Sequence, residues 1–160
     1  MNGVSDTTFG PDGVTTRAQL VTILYRYAGS PQVSGEVPFT DLDAKGGSWY
    51  MDGVKWAYQN KIVNGTGATT FSPNNQLTRE QLVTILYRYC NEYLHMNTSE
   101  REGLSKYSDV KLVDNYAMGP FQWAVAKGYV SGTSATKLSP DDSATRAQIS
   151  TIMMRFAKSL

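Results

Sequence analysis

TRAQLVTILYRYAG (residues 16–29), TREQLVTILYRYCN (78–91) and TRAQISTIMMRFAK (145–158) are three versions of one segment. They start 62 and then 67 residues apart, and a period of that size marks an array of like units. Thr16, Thr78 and Thr145 are each followed three residues later by Gln19, Gln81 or Gln148. That spacing predicts a capping box, in which two side chains satisfy orphan amide groups at a helix start. Behind each cap the apolar residues fall at i, i+3, i+4 and i+7: Leu20, Ile23, Leu24, Tyr27; Leu82, Ile85, Leu86, Tyr89; Ile149, Ile152, Met153, Phe156. Each segment therefore reads as an amphipathic helix with one apolar stripe. Three such helices bury their stripes most simply against one another around a pseudo-threefold axis.

The stretch ahead of each helix repeats as well. It opens on Asn-Gly or Ser-Gly (Gly3, Gly65, Gly132), continues with a short polar run, and reaches an aromatic or Leu (Phe9, Phe71, Leu138) with Pro two residues on (Pro11, Pro73, Pro140). GPDG, SPNN and SPDD are turn chemistry, because Pro presets its own dihedral and Asp or Asn bonds nearby backbone. A front half occurs twice, as residues 37–63 and 105–130. Both copies carry an aromatic-x-Asp (Phe39 to Asp41; Tyr107 to Asp109), then Trp49 or Tyr116, then Trp56 or Trp123. Met51, Val54 and Ala57, with Met118, Phe121 and Ala124, predict a short helix over about 50–60 and 116–127. Pro120 is placed in or near the first turn of the second of these. Gly128 reads as its end signal, with Lys61 in the matching place. The chain divides into the back half of a first unit (1–34), a second unit (35–98) and a third (99–160), together forming one structural body. The counterpart of residues 39–63 does not occur before Asn2.

Composition narrows the function. The chain has 160 residues and a formal net charge of +1, with basic residues spread along it. That argues against a nucleic-acid surface, which favours a basic face or stripe. No apolar run approaches the ~20 residues of a membrane helix, so no membrane insertion is expected. MNGVSDTTFG has neither the basic start nor the apolar stretch of a secretory signal, although this does not make the protein cytosolic. One histidine (His95, in a polar stretch) and one cysteine (Cys90, read as a small buried apolar residue) exclude a zinc site of the usual Cys/His type. No GxxxxGK[ST] phosphate loop, calcium loop or recurrent base–nucleophile pair is present, so no cofactor and no enzymatic activity are expected.

The order Phe-x-Asp, aromatic, short helix, Gly turn, Phe-x-Pro, Thr-Arg, apolar helix resembles the S-layer homology domain over nearly the whole chain. The resemblance implies an all-α fold of tandem repeats, each a short helix, a loop and a longer capped helix, in a pseudo-threefold bundle. It implies a secreted, extracellular module on a bacterial cell wall or S-layer. Such modules bind secondary cell-wall polysaccharide non-covalently, often through ketal-pyruvylated N-acetylmannosamine. Carried over by position, the family's arginine is Arg17, Arg79 and Arg146, and its aspartate is Asp41 and Asp109. Its Trp is Trp49, with Tyr116 as a departure, and its glycine is Gly3, Gly65 and Gly132. The family motif commonly ends in Glu where this chain has Gln19, Gln81 and Gln148.

The arginines carry a physical argument of their own. A cation in the first turn of a helix opposes the macrodipole, at a cost of a few tenths to ~1 kcal/mol. An anion beside the helix start would remove that conflict, and a guanidinium fork holds a carboxylate bidentately. The competing reading pairs each arginine with an aspartate of a neighbouring unit, such as Asp41 or Asp109. Arg79 and Arg146, in complete units, are preferred over Arg17. Arg26, Arg88 and Arg155 also repeat but lie mid-helix and read as solvated or paired. Trp49 and Tyr116 suit either stacking on a sugar ring or core packing. Trp56 and Trp123 read as core. The alternative function is a protein–protein or self-assembly module using the same grooves, with a homodimer through the truncated first unit.

Overall fold

A computed structural model of the chain describes residues 10, 12–42 and 48–160. Gly3, Phe9 and Pro11 lie outside the described residues. Three capped helices, α1 (Arg17–Tyr27), α3 (Arg79–Arg88) and α5 (Arg146–Lys158), correspond to the three sequence copies. Two further helices, α2 (Ser48–Gln59) and α4 (Asn115–Ala126), occupy the front halves; at 12 residues each they are not shorter than α1 (11) or α3 (10), contrary to the expected short helix. Strands are absent among the described residues, so the fold is all-α, as expected. No helix among them is long and apolar enough to cross a membrane.

The capping boxes form at all three starts. Thr16 Oγ1 accepts from Gln19 N–H at 3.2 Å while Thr16 N–H donates to Gln19 Oε1 at 2.9 Å. Thr78 with Gln81, and Thr145 with Gln148, repeat the exchange. The helix ends differ because their sequences do. α1 stops at Ala28-Gly29, where Gly29 takes a φ of +90° and the Ser30 N–H returns to Tyr25 O. Cys90-Asn91 supplies no such glycine, and α3 runs on through a π-helical turn, Tyr89–Tyr93. Pro120 stands at the sixth residue of α4, beyond the first turn where the sequence placed it. Gly128 ends α4 at a φ of +74°, and Lys61 takes the same left-handed conformation, φ +61°, after α2.

The stripes are largely buried, with Tyr27 44% exposed, but the capped helices do not pack directly on one another as expected. Close helix packing joins α2 to α1 and α4 to α3, so each front-half helix lies on the capped helix of the preceding unit. Gly53 lets α2 approach; a side-chain carbon there would stand 3.3 Å from Thr22 Cα. The capped helices are instead tied at their two ends. At their starts three backbone bonds run in cyclic order: Thr15 N–H to Ala144 O, Ala144 N–H to Leu77 O and Leu77 N–H to Thr15 O, at 2.8–3.0 Å. Near their ends the equivalent residues Tyr27, Tyr89 and Phe156 converge, with ring centroids 5.9 Å (Tyr27–Phe156) and 6.0 Å (Tyr89–Phe156) apart. Trp56 and Trp123 are fully buried beside this cluster, as read from the sequence. Cys90 is buried too, and burial pushes its thiol up to about 12.

Candidate functional site

Arg17 and Arg79 each serve the unit that follows them. Arg17 is only 8% exposed; its Nε donates to Phe71 O and its Nη2 to Asn64 O, both at 2.8 Å. Arg79, 6% exposed, repeats this with Leu138 O and Ser131 O at 2.9 Å. The awkward cation at the helix start is thus solvated by carbonyl oxygens of the next unit's loop. Neither arginine forms an ion pair with Asp41 or Asp109 among the described residues. Burial lowers both guanidinium groups; Asp41 works the other way on Arg17, as do Asp142 and Asp109 on Arg79. They remain charged, and each keeps N–H groups beyond the two spent on carbonyls.

Asp41 and Asp109 close the same loops from within the unit. Asp41 accepts the N–H groups of Phe71 (2.9 Å) and Ser72 (2.8 Å); Asp109 accepts those of Leu138 and Ser139 at the same distances. Ser72 and Ser139 are left-handed, φ +57° and +54°, and Gly10 holds the matching place at +68°. Burial tends to raise the Asp109 carboxyl, but the two backbone N–H bonds outweigh it and hold the group below the usual carboxylate range. Gly65 and Gly132 are required by packing. A side-chain carbon at Gly65 would meet Thr70 O and stand 2.6 Å from the Phe39 ring; at Gly132 it would meet Lys137 O and stand 2.8 Å from Tyr107.

Two grooves result, built alike. One, of about 360 Å³, is lined by Arg17, the loop at Asn64, Gly65 and Thr66, the α3 residues Gln81, Thr84 and Arg88, and Tyr116. The other, of about 250 Å³, has Arg79, the loop at Ser131, Gly132 and Thr133, and Gln148, Thr151 and Arg155 of α5. Tyr116 comes from α4, which lies on α3, and α5 has no front-half helix on it among the described residues. The aromatic lining the first groove is therefore the half-exposed Tyr116, whereas the aromatic lining the second is the buried Tyr129. Across the first groove Arg88 adds to burial in lowering the Arg17 guanidinium, in the direction expected of a like charge. The structure brings Arg17, Gly65 and Tyr116 together, and separately Arg79 and Gly132. Asp41 and Asp109 lie behind the loops, and Trp49, half-exposed on α2, lines neither groove. Arg146 donates its backbone N–H to Gly13 O at 2.8 Å, and the Gly3 loop that corresponds to Gly65 is outside the described residues.

The preference for Arg79 and Arg146 assumed that an arginine works within its own unit. Since it reaches into the next, Arg17 sits in the groove with the fuller set of parts. Arg88 and Arg155, read from sequence as solvated or paired, line the grooves. So do Thr84 and Thr151. Their signal was present as strict repetition at a fixed distance from Thr-Arg.

A family model for the S-layer homology domain matches residues 1–21, 38–83 and 106–149. The chain is 31% identical over 97% of its length to a surface-layer 125 kDa protein of Lysinibacillus sphaericus, covering 13% of that protein. It is 29% identical over 96% of its length to an amylopullulanase of Thermoanaerobacterium thermosulfurigenes, covering 8% of it. A cellulosome-anchoring protein of Acetivibrio thermocellus is 24% identical over 88% of the chain, which spans 31% of that relative. With three family matches in register with the three repeated helices, the chain belongs to the S-layer homology domain family.

Proposed function

We propose that the chain is a non-catalytic cell-surface anchoring module. It binds an acidic secondary cell-wall polysaccharide, pyruvylated in the form the family resemblance implies, in its inter-unit grooves. The observation that carries this reading is the pair Arg17 and Arg88: two cations facing one groove, with no carboxylate at ion-pair distance among the described residues. A ligand carboxylate there gains two guanidinium partners, and Tyr116 offers a ring face for the sugar. Thr66, Thr84 and Gln81 supply hydroxyl and amide groups for sugar hydroxyls. The names of the surface-layer and cellulosome-anchoring relatives agree with a location outside the cell, on a bacterial wall.

Arg88 gives the sharper test, because Arg17 also holds the fold together. Arg88→Ala is expected to weaken binding to purified pyruvylated wall polysaccharide by about 10- to 100-fold, the worth of a charge-assisted hydrogen bond. Its thermal unfolding should match that of the parent. Undiminished binding would remove the groove from the account.

A second reading, self-association, has its own observation. The outer side of α5 bears Met154, 50% exposed, where α1 and α3 are covered by α2 and α4. A homodimer through the first unit would cover it. Sedimentation equilibrium decides this: a monomer at all concentrations up to ~100 times a micromolar Kd excludes it.

A further inference from the structure

Ser72 and Ser139 hold a left-handed backbone, φ +57° and +54°, which is unfavourable for a residue with a β-carbon. Gly10 takes the same conformation at the matching place in the first unit, so glycine fits this turn. The second and third units nevertheless carry serine there. A side chain kept against the preference of its own backbone calls for a task, and the hydroxyl supplies one. Ser72 Oγ shares a hydrogen bond with Thr66 Oγ1 at 2.6 Å, and Ser139 Oγ shares one with Thr133 Oγ1 at 2.5 Å. Both lie at the short end for hydroxyl pairs. Thr66 and Thr133 occupy equivalent places in the two grooves.

The sequence carries the same pairing. Six residues before Gly10, Ser72 and Ser139 stand Val4, Thr66 and Thr133. Serine occurs where there is a threonine hydroxyl to hold, and glycine where there is valine. The serines are themselves held, because Asp41 Oδ2 accepts the Ser72 N–H and Asp109 Oδ2 accepts the Ser139 N–H, both at 2.8 Å. A relay thus runs from the aspartate behind each loop, through the serine, to a hydroxyl on the groove. The other neighbours of Thr66 Oγ1 are farther off, with Thr70 O at 3.4 Å and Thr70 Oγ1 at 3.2 Å. Thr133 Oγ1 has Lys137 O at 3.4 Å, and lysine offers no hydroxyl. The bond to serine is therefore the short one common to both grooves.

We propose that Ser72 is a positioning residue of the Arg17 groove: it fixes Thr66 Oγ1, so that this hydroxyl meets a saccharide hydroxyl beside the ligand carboxylate. This rests on the groove reading above. Ser139 stands in the same relation to Thr133. Glycine at either place would relieve the backbone but leave an exposed threonine to exchange rotamers, with its hydroxyl no longer aimed.

The test sets affinity against thermal unfolding, because positioning and a merely structural role predict different pairs of signs. In calorimetric titration with a glycoside of ketal-pyruvylated N-acetylmannosamine, Ser72→Gly should bind about fivefold more weakly, the worth of one neutral hydrogen bond. Its Tm should stay level or rise by up to ~4 °C, since glycine suits the left-handed backbone. Ser72→Ala, which keeps the β-carbon and the stiffness of the loop, should lose the same affinity. Thr66→Val should match them, and adding Ser72→Gly to it should weaken binding no further, as for contacting residues that act as one unit. Thr66→Ser should keep most of the parent's affinity. Parental affinity in Ser72→Gly and Ser72→Ala would overturn the role of Ser72 and leave the groove reading intact. So would a fall in the Tm of Ser72→Gly alongside its loss of affinity, or effects that multiply in the double variant. No binding of the glycoside by the parent chain would overturn both.

Discussion

Arg17 and Arg79 show at the residue scale how one side chain can be structural and still border a site. Two N–H groups of each fasten the next unit's loop through carbonyl oxygens, and the remainder of the fork stays at the groove edge. The conflict between cation and helix dipole was legible in the sequence; its solution was not, since the carbonyls lie 47–59 residues away. The glycines follow the same logic. Gly65→Ala is expected to destabilise the fold by about 1–3 kcal/mol through overpacking, measured by urea unfolding, with Gly132→Ala alike. Glu80 makes a prediction with a definite sign. Its folded pKa is raised, so the native state holds its proton more tightly than the unfolded chain, whose Glu titrates near ~4.3. Stability from this group is full below that value and declines as pH rises through the folded pKa. Glu80→Gln should therefore melt higher than the parent at pH 7, and the gap should close as pH approaches ~4. A gap that widens on acidification would contradict the assignment.

At the scale of elements, the caps, stripes and front-half helices came directly from spacing, because each depends on residues within a turn or two. The three Thr-x-x-Gln boxes are all formed. What packs on what was not local. The stripes suggested three capped helices in mutual contact, whereas α1 and α3 are each covered by the helix of the next unit's front half, and the capped helices meet through Tyr27, Tyr89 and Phe156. Pro120 was misplaced for a related reason: its lost bond is tolerated inside α4, where the ring is buried against the core. The helix ends carry a simple prediction. Lys61 is exposed in a left-handed conformation that Gly128 occupies after α4. Lys61→Gly should stabilise the protein by about 0.5–1 kcal/mol, seen as a rise of ~2–4 °C in Tm. Thr78→Ala should do the reverse, losing about 1 kcal/mol with its cap.

Over the whole molecule, the cyclic bonds among Thr15, Leu77 and Ala144 hold the three helix starts together, and the grooves open between successive units. The repeat made the family and the all-α fold readable from sequence. It concealed that the grooves differ, because that difference comes from which capped helix carries a front-half one. The groove of Arg17 has the half-exposed Tyr116, whereas the aromatic lining that of Arg79 is the buried Tyr129. A short pyruvylated glycan near its Kd is therefore expected to bind with a stoichiometry close to one, and Arg155→Ala should matter less than Arg88→Ala. The central claim, that paired arginines in an inter-unit groove hold a ligand carboxylate, is tested most directly by titrating the parent chain with one wall polysaccharide before and after removal of its pyruvyl groups. The account predicts that affinity falls by about 10-fold or more when the carboxylates are removed, and that what remains depends little on salt. Equal affinity for the two polymers would contradict it.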